Sequence, residues 1–456
     1  MQLMKIDPTK QLFDNTISIP SSKPETQRAI FIGSFSEGIS EVHNDLRCIE
    51  TSIMKRACKV LGAEIDEERD RLRILGAKGI LKKCQDVKVI NSSGSGLVAR
   101  LFTVLGSLTP KATIITGDKI LRTRVMKPLF SNLRRNGVQI EYLGDEYKLP
   151  IINWNSSLPG GSYSVPGNIS SQFITAFLLT APFAEDVVEI RIEGDVYSKP
   201  YIKQTLVAMQ AAGIQVEYTE SMNYYKVHPG EYSACNTYVM GDYTSASYVL
   251  AKAALFSGKT TLKNMSSKSY QGEKAIVGVL EALGVTLTFN EDTHELIAEN
   301  STDCLKGDVE FNAIDFPNIV PTLATIGAFV EGRFRVIGAA ITRFHKSSRV
   351  EAMITELKKI GVNINPIFKD DILDGFEIRG KQVYEGGVQL SSWKDHRIFM
   401  SLFVLSLKMQ HSNYIDGFSD IDCSFPSFLG EFEKMGVAYS VIGTDSQEEV
   451  YQKVCK

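Results

Sequence analysis

Three short phrases put cations where an apolar helix should begin. They are Lys23 and Arg28 in IPSSKPETQRAI, Arg100 in NSSGSGLVAR, and Arg397, with Asp395 and His396, in KDHRIFM. A fourth, GNISSQF, offers Ser170, Ser171 and Gln172 in the same setting. A helix N-terminus presents free N–H groups and the positive end of the helix dipole, which together suit an anion. The serines and Asp395 have a plainer use as helix caps, and that use stays open for each of them. Lys23, Arg28 and Arg397 are harder to dismiss, because cations beside apolar helix faces are rarely buried without a partner. Arg124 in ILRTRVMKPL and Arg349 in HKSSRVEAM are expected to open two amphipathic helices. The dipole disfavours a cation there, and a nearby anion would explain it. Together the set suggests a site that neutralises two phosphates, or a phosphate and a carboxylate, with arginine for bidentate contacts.

Composition narrows the ligand. A net charge of −3 argues against broad nucleic-acid binding but leaves room for a local cationic cluster. No run approaches the roughly 20 apolar residues of a membrane helix, and MQLMKIDPTKQLFDN has no apolar stretch behind a basic start, so no secretory signal is expected. Cys48, Cys58, Cys84, Cys235, Cys304, Cys423 and Cys455 form no CxxC. Scattered thiols of this kind point to a reducing cytoplasm. The histidines show no HxxxH or HExxH spacing, so neither a metal nor another cofactor is expected. Small phosphorylated substrates remain as partners, with no nucleic acid and no membrane.

The elements that must position these residues recur. The phrases KRACKVLGAEI, FSNLRRNGVQIEYL, TLVAMQAAGIQVEY, VGVLEALGVTLTF, MITELKKIGVNI and FLGEFEKMGVAYSVI each read as an amphipathic helix, a glycine and a β-branched strand. Gly62, Gly137, Gly213, Gly284, Gly361 and Gly436 are thus 75, 76, 71, 77 and 75 residues apart. Between them lie six apolar helices, which should be buried while the amphipathic ones lie outside. The pattern predicts an α/β chain of six units, three in each of two domains. The stretch NWNSSLPGGSYSVPGN (153–168) reads as a turn-rich loop, and the tail TDSQEEVYQKVCK as a short exposed extension.

In SSKPETQRA, ITGDKILRTR, GNISSQFITAFLLTAP, GDVYSKPYI, GDYTSASYVLAKAA, PTLATIGAF and KDHR, and over essentially its whole length, the chain resembles the enolpyruvyl transferase family. Within that family the likeness is greatest to the shikimate-3-phosphate branch. The resemblance implies two domains of three βαβαββ units, each around a pseudo-threefold axis. One would comprise 1–21 and 242–456 and the other 22–241, with the active site in the cleft between them. The family adds an acceptor hydroxyl to C2 of phosphoenolpyruvate and expels phosphate, and domain closure keeps water out. By resemblance, the donor would meet Lys23, Gly96, Arg124, Gln172, Arg349 and Arg397. The acceptor would meet Arg28, Ser170, Ser171, Ser198, Tyr201 and Asn318. Lys23 is the expected proton carrier, and no cofactor is implied. A monomer is expected.

Other positions depart from the family. Asn318 stands where the family carries an aspartate that contacts the acceptor hydroxyl. His345 and Lys346 replace a lysine and a glutamate, Pro24 a serine, and Cys423 a late lysine, while the turn before Arg100 reads SSGSG. An amide cannot take a proton from an alcohol, and a lysine reverses the charge of a glutamate. His345, Lys346 and His396 join Lys23 and Asn318 as catalytic candidates. Lys346 would become an amine base if it lay among Arg124, Arg349 and Arg397. Three outcomes follow: carboxyvinyl transfer, or another addition or elimination, with another phosphorylated acceptor, as in secondary metabolism; transfer to shikimate-3-phosphate by other acid–base groups; or a non-catalytic binder of phosphometabolites. The branch acting on a UDP-amino sugar is disfavoured, because residues 111–123 lack its cysteine.

Overall fold

The computed structural model describes residues 2–9, 15–77, 86–154, 157–302 and 304–443. Cys84, Cys455 and the tail 444–456 therefore lie outside the described residues. The chain divides into two compact units, Ser21–Val239 and a discontinuous one made of Met1–Pro20 with Met240–Lys456.

The continuous unit holds helices α1 (Lys23–Phe35), α2 (Ile49–Val60), α3 (Gly96–Leu105), α4 (Lys119–Thr123), α5 (Lys127–Arg135), α6 (Ser171–Thr180) and α7 (Lys199–Ala211). Apolar α3 is buried at every position and packs on α6, which is buried apart from Gln172. Three four-stranded sheets cover these helices, and each has one parallel pair followed by two antiparallel pairs. In the first, Asn236–Tyr238 runs parallel to Ile39–His43, with Asn236 opposite Glu41. The last strand of the unit thus completes the sheet of its first repeat. Parallel pairing of Lys88–Asn91 with Thr113–Thr116, and of Gly161–Pro166 with Val188–Glu193, founds the other two.

The discontinuous unit repeats the plan with α8 (Tyr243–Leu255), α9 (Ile276–Ala282), α10 (Val320–Ala328), α11 (Arg349–Lys359), α12 (His396–Leu407) and α13 (Phe428–Lys434). Every residue of α8, α10 and α12 is buried, and α10 packs on both of the others. Its three four-stranded sheets follow the same parallel-then-antiparallel order. Gln2–Ile6 is the antiparallel neighbour of Asn413–Ile415, so the first strand of the chain is built into the sheet of the last repeat. Among the described residues, six such sheets, the five buried helices and α1, buried from Thr26 onward, make six units of one plan. The glycines that end the outer helices have φ between 81° at Gly361 and 101° at Gly62, the left-handed region where a side chain is strained.

Two expectations need correction. Within 153–168, Gly161–Pro166 is a strand and not loop, because Tyr163 and Val165 alternate inward with no exposure. Arg124 does not open an amphipathic helix. Asp118 accepts the Leu121 N–H and starts the short α4, which Arg124 caps at its C-terminus, and α5 begins only at Lys127. A cation there agrees with the dipole. None of the five described cysteines forms a disulfide. No helix among the described residues is long and apolar enough to cross a membrane.

Candidate active site

In the continuous unit the helix starts converge on Gly96. Ser22 caps α1, so Lys23 is its first residue. The Lys23 ammonium lies 3.7 Å from the Glu50 carboxylate at the start of α2, and Ser95 donates to the other oxygen of Glu50 at 3.1 Å. Gly96, the next residue, has a backbone packed tightly against the polar ends of three side chains. A Cβ would lie 2.5 Å from Arg100 Nη1, 3.2 Å from Gln172 Oε1 and 3.3 Å from Arg124 Nη1. Arg100 Nη1 donates to the Gly96 carbonyl and to Gln172 Oε1, both at 2.8 Å, and its guanidinium lies over the Phe173 ring. Burial pushes Arg100 down to about 9, and repulsion from Arg124 adds to the shift. Among the described residues Arg100 has no carboxylate partner. Two guanidinia side by side, one balanced only by neutral groups, favour an anion strongly.

Ser170, by contrast, spends its side chain capping α6 through the Gln172 N–H, and Ser171 begins that helix. Arg28 is wholly buried and joins α1 to α7. Its Nε, Nη1 and Nη2 donate to Thr205 Oγ1, the Pro24 carbonyl and the Tyr201 carbonyl at 2.8–2.9 Å, and burial pushes it down to about 10. Ser198 stands at the N-cap position of α7 in a left-handed conformation, with φ 59°, and makes no capping hydrogen bond with its side chain. That conformation is uncommon for a serine and consistent with a constrained site.

In the discontinuous unit the starts of α11 and α12 are tied together. Asp395 caps α12 through the Arg397 N–H at 3.0 Å and accepts Arg349 Nε at 2.9 Å and Ser347 Oγ at 3.2 Å. Burial alone would raise the Asp395 carboxyl, but the charge of Arg349, then that of His396, and these hydrogen bonds hold it far below the usual range. Arg349 Nη1 donates to Asn318 Oδ1 at 2.8 Å, and Asn318 Nδ2 donates to Glu273 Oε1 at 3.3 Å. His396 Nδ1 lies 3.8 Å from Asp395. The Tyr248 phenol is pushed up to about 12 by burial, against the pull of Arg397 and Arg349. Lys346 Nζ donates to Cys423 Sγ at 3.7 Å. His345 follows the turn Ala340–Phe344, its N–H on the Thr342 carbonyl.

Each unit therefore gathers buried guanidinia at helix starts, and sequence comparison gives that arrangement a family. The model of EPSP synthase (3-phosphoshikimate 1-carboxyvinyltransferase) matches residues 7–432. The chain is 32% identical to the 3-phosphoshikimate 1-carboxyvinyltransferase of Methanocaldococcus jannaschii over 97% of its own length and all of that protein's. The chain belongs to the EPSP synthase family. Among solved structures, EPSP synthase from Acinetobacter baumannii superposes with a TM-score of 0.80 at 24% identity, covering 97% of this chain and all of that one. The enolpyruvyl transferase NikO from Streptomyces tendae does so at 0.74 and 14% identity, over 97% and 99% of the two chains. Both show the same fold.

Of the residues proposed for this site from sequence, Gly96, Arg124 and Gln172 form one cluster, while Arg349, Arg397 and His396 surround Asp395 and Asn318 joins them through Arg349. Lys346 contacts Cys423. Sequence reasoning passed over Glu50 and Glu273. Neither lies in a motif of unusual composition, and only the fold shows that each carboxylate faces a candidate side chain.

Proposed function

We propose that the protein transfers the carboxyvinyl group of phosphoenolpyruvate to a phosphorylated acceptor other than shikimate-3-phosphate. The observation that carries this reading is the state of Asn318. Its carbonyl is engaged by Arg349 and its amide by Glu273, so position 318 offers no carboxylate to a reacting hydroxyl. The donor side is intact by contrast, with Arg124, Gln172, Arg349 and Arg397 all of the types that suit a phosphate and a carboxylate.

In the proposed reaction both cationic clusters serve one chemical event. The acceptor hydroxyl adds to C2 of phosphoenolpyruvate while the vinyl carbon gains a proton, for which Lys23 is the carrier. The adduct then returns a methyl proton to Lys23 and expels phosphate, which leaves as hydrogen phosphate with the proton that the hydroxyl gave up, and a carboxyvinyl ether remains. Arg124, Gln172 and Lys23 hold the donor phosphate, and Arg349 and Arg397 its carboxylate. Ser170, Ser171 and Ser198 receive the acceptor phosphate, with Tyr201 beneath the acceptor and Arg28 fixing the helices that carry them. Isotope-labelled phosphoenolpyruvate, offered with a pool of phosphorylated metabolites and read by mass spectrometry, tests this. A labelled carboxyvinyl ether of a new metabolite is expected, and label recovered only in the carboxyvinyl ether of shikimate-3-phosphate would refute it. That second reading is favoured by the name of the Methanocaldococcus jannaschii relative.

A further inference from the structure

We propose that Glu273 is a positioning residue: it orients the Asn318 amide, and through it aims the Arg349 guanidinium at a substrate anion. Only the identity of that anion, phosphoenolpyruvate, rests on the functional reading above. Glu273 lies in the single turn Gly272–Ala275 before α9 and is 1% exposed. It meets the donor end of Asn318, whose acceptor end meets Arg349. A primary amide has one end of each kind, and a carboxylate on one side with a guanidinium on the other admits only one of its two flips. An aspartate at 318 would have no proton for Glu273 and would set two carboxylates against each other. Asparagine is the side chain that can bridge them.

The bridge matters because Arg349 is held from two directions. Asp395 takes Nε and Asn318 takes Nη1, while among the described residues Nη2 has no acceptor. The guanidinium plane is thereby fixed with one edge left for a ligand, in a side chain only 5% exposed. A fixed planar fork binds a carboxylate or phosphate better than a mobile one, since less is lost in ordering it. Glu273, one residue removed, decides whether that fork is fixed.

The test is a double-mutant cycle on the full chain, read by calorimetric titration with phosphoenolpyruvate, together with the urea unfolding midpoint of each variant. Glu273→Gln keeps the shape but lets the amide flip. It should weaken phosphoenolpyruvate binding by about threefold to tenfold, with the unfolding midpoint nearly unchanged. In an Asn318→Ala background the same change should have no further effect on binding. Equal losses in both backgrounds, unaltered binding, or a loss of stability alone would overturn the proposal. Should the unaltered protein bind no phosphoenolpyruvate, the functional reading fails, and the positioning role is judged without ligand. The Arg349 Nε–H resonance of arginine-labelled protein should then move on Glu273→Gln, and stay put when Asn318 is already alanine. A resonance indifferent to Glu273 would sink the idea.

Discussion

Arg100 carries its charge into the interior beside Arg124, and among the described residues its partners are the Gly96 carbonyl, Gln172 and an aromatic face. The sign of its pH effect follows. Between about 9 and its ordinary 12.5, the folded ligand-free protein binds fewer protons at Arg100 than the unfolded chain does, so stability rises with pH there. An anion needs the charged form. Phosphoenolpyruvate affinity should therefore fall as pH climbs through about 9, and titrations from pH 7 to 10 measure it. In Arg100→Met that dependence should flatten and affinity drop by about tenfold or more. Asp395 works in the opposite sense. Its carboxyl is held low, so its stabilisation is present above its ordinary value of 3.8 and is lost as acid protonates it in the folded state. Asp395→Asn leaves Arg349 buried beside a neutral group and should cost about 3–5 kcal/mol in urea unfolding at pH 7.

At the scale of elements, much was legible because the repeat imposes a strong pattern. The glycines that end the outer helices could be read from one residue each, since left-handed backbone leaves little choice of side chain. Gly361 tests this cleanly, because a Cβ there meets nothing within 4 Å. Gly361→Ala should then cost about 1–2 kcal/mol from backbone strain alone, seen as a lowered unfolding midpoint. The strand Gly161–Pro166 was hidden by its glycine, serine and proline content, although the inward alternation of Tyr163 and Val165 was there to be seen. Arg124 was misplaced because Asp118 starts a short helix that a longer amphipathic pattern had masked. At the site, Gly96 with its crowd of polar ends was readable only through family resemblance. Glu50 and Glu273 were not readable at all, for their importance lies in which side chains the fold turns toward them.

At the scale of the molecule, each unit encloses its own apolar core, one gathered from Ala29 to Val239 and the other from Met4, Ile6, Ile17 and Ile19 together with Tyr243 to Val437. The continuous unit needs no strand from elsewhere, since Asn236–Tyr238 closes its first sheet. A fragment of residues 21–239 should fold by itself, with a single cooperative thermal transition in circular dichroism. The other unit, lacking Gln2–Ile6, would expose the Asn413–Ile415 edge and should not. The proposed function turns on the contrast between the residues proposed to hold the donor and those proposed to meet the acceptor. The most direct measurement mixes purified protein with phosphoenolpyruvate and shikimate-3-phosphate and follows phosphate release. The account predicts that phosphoenolpyruvate binds while phosphate is not released. Rapid, sustained release would contradict the proposed change of acceptor.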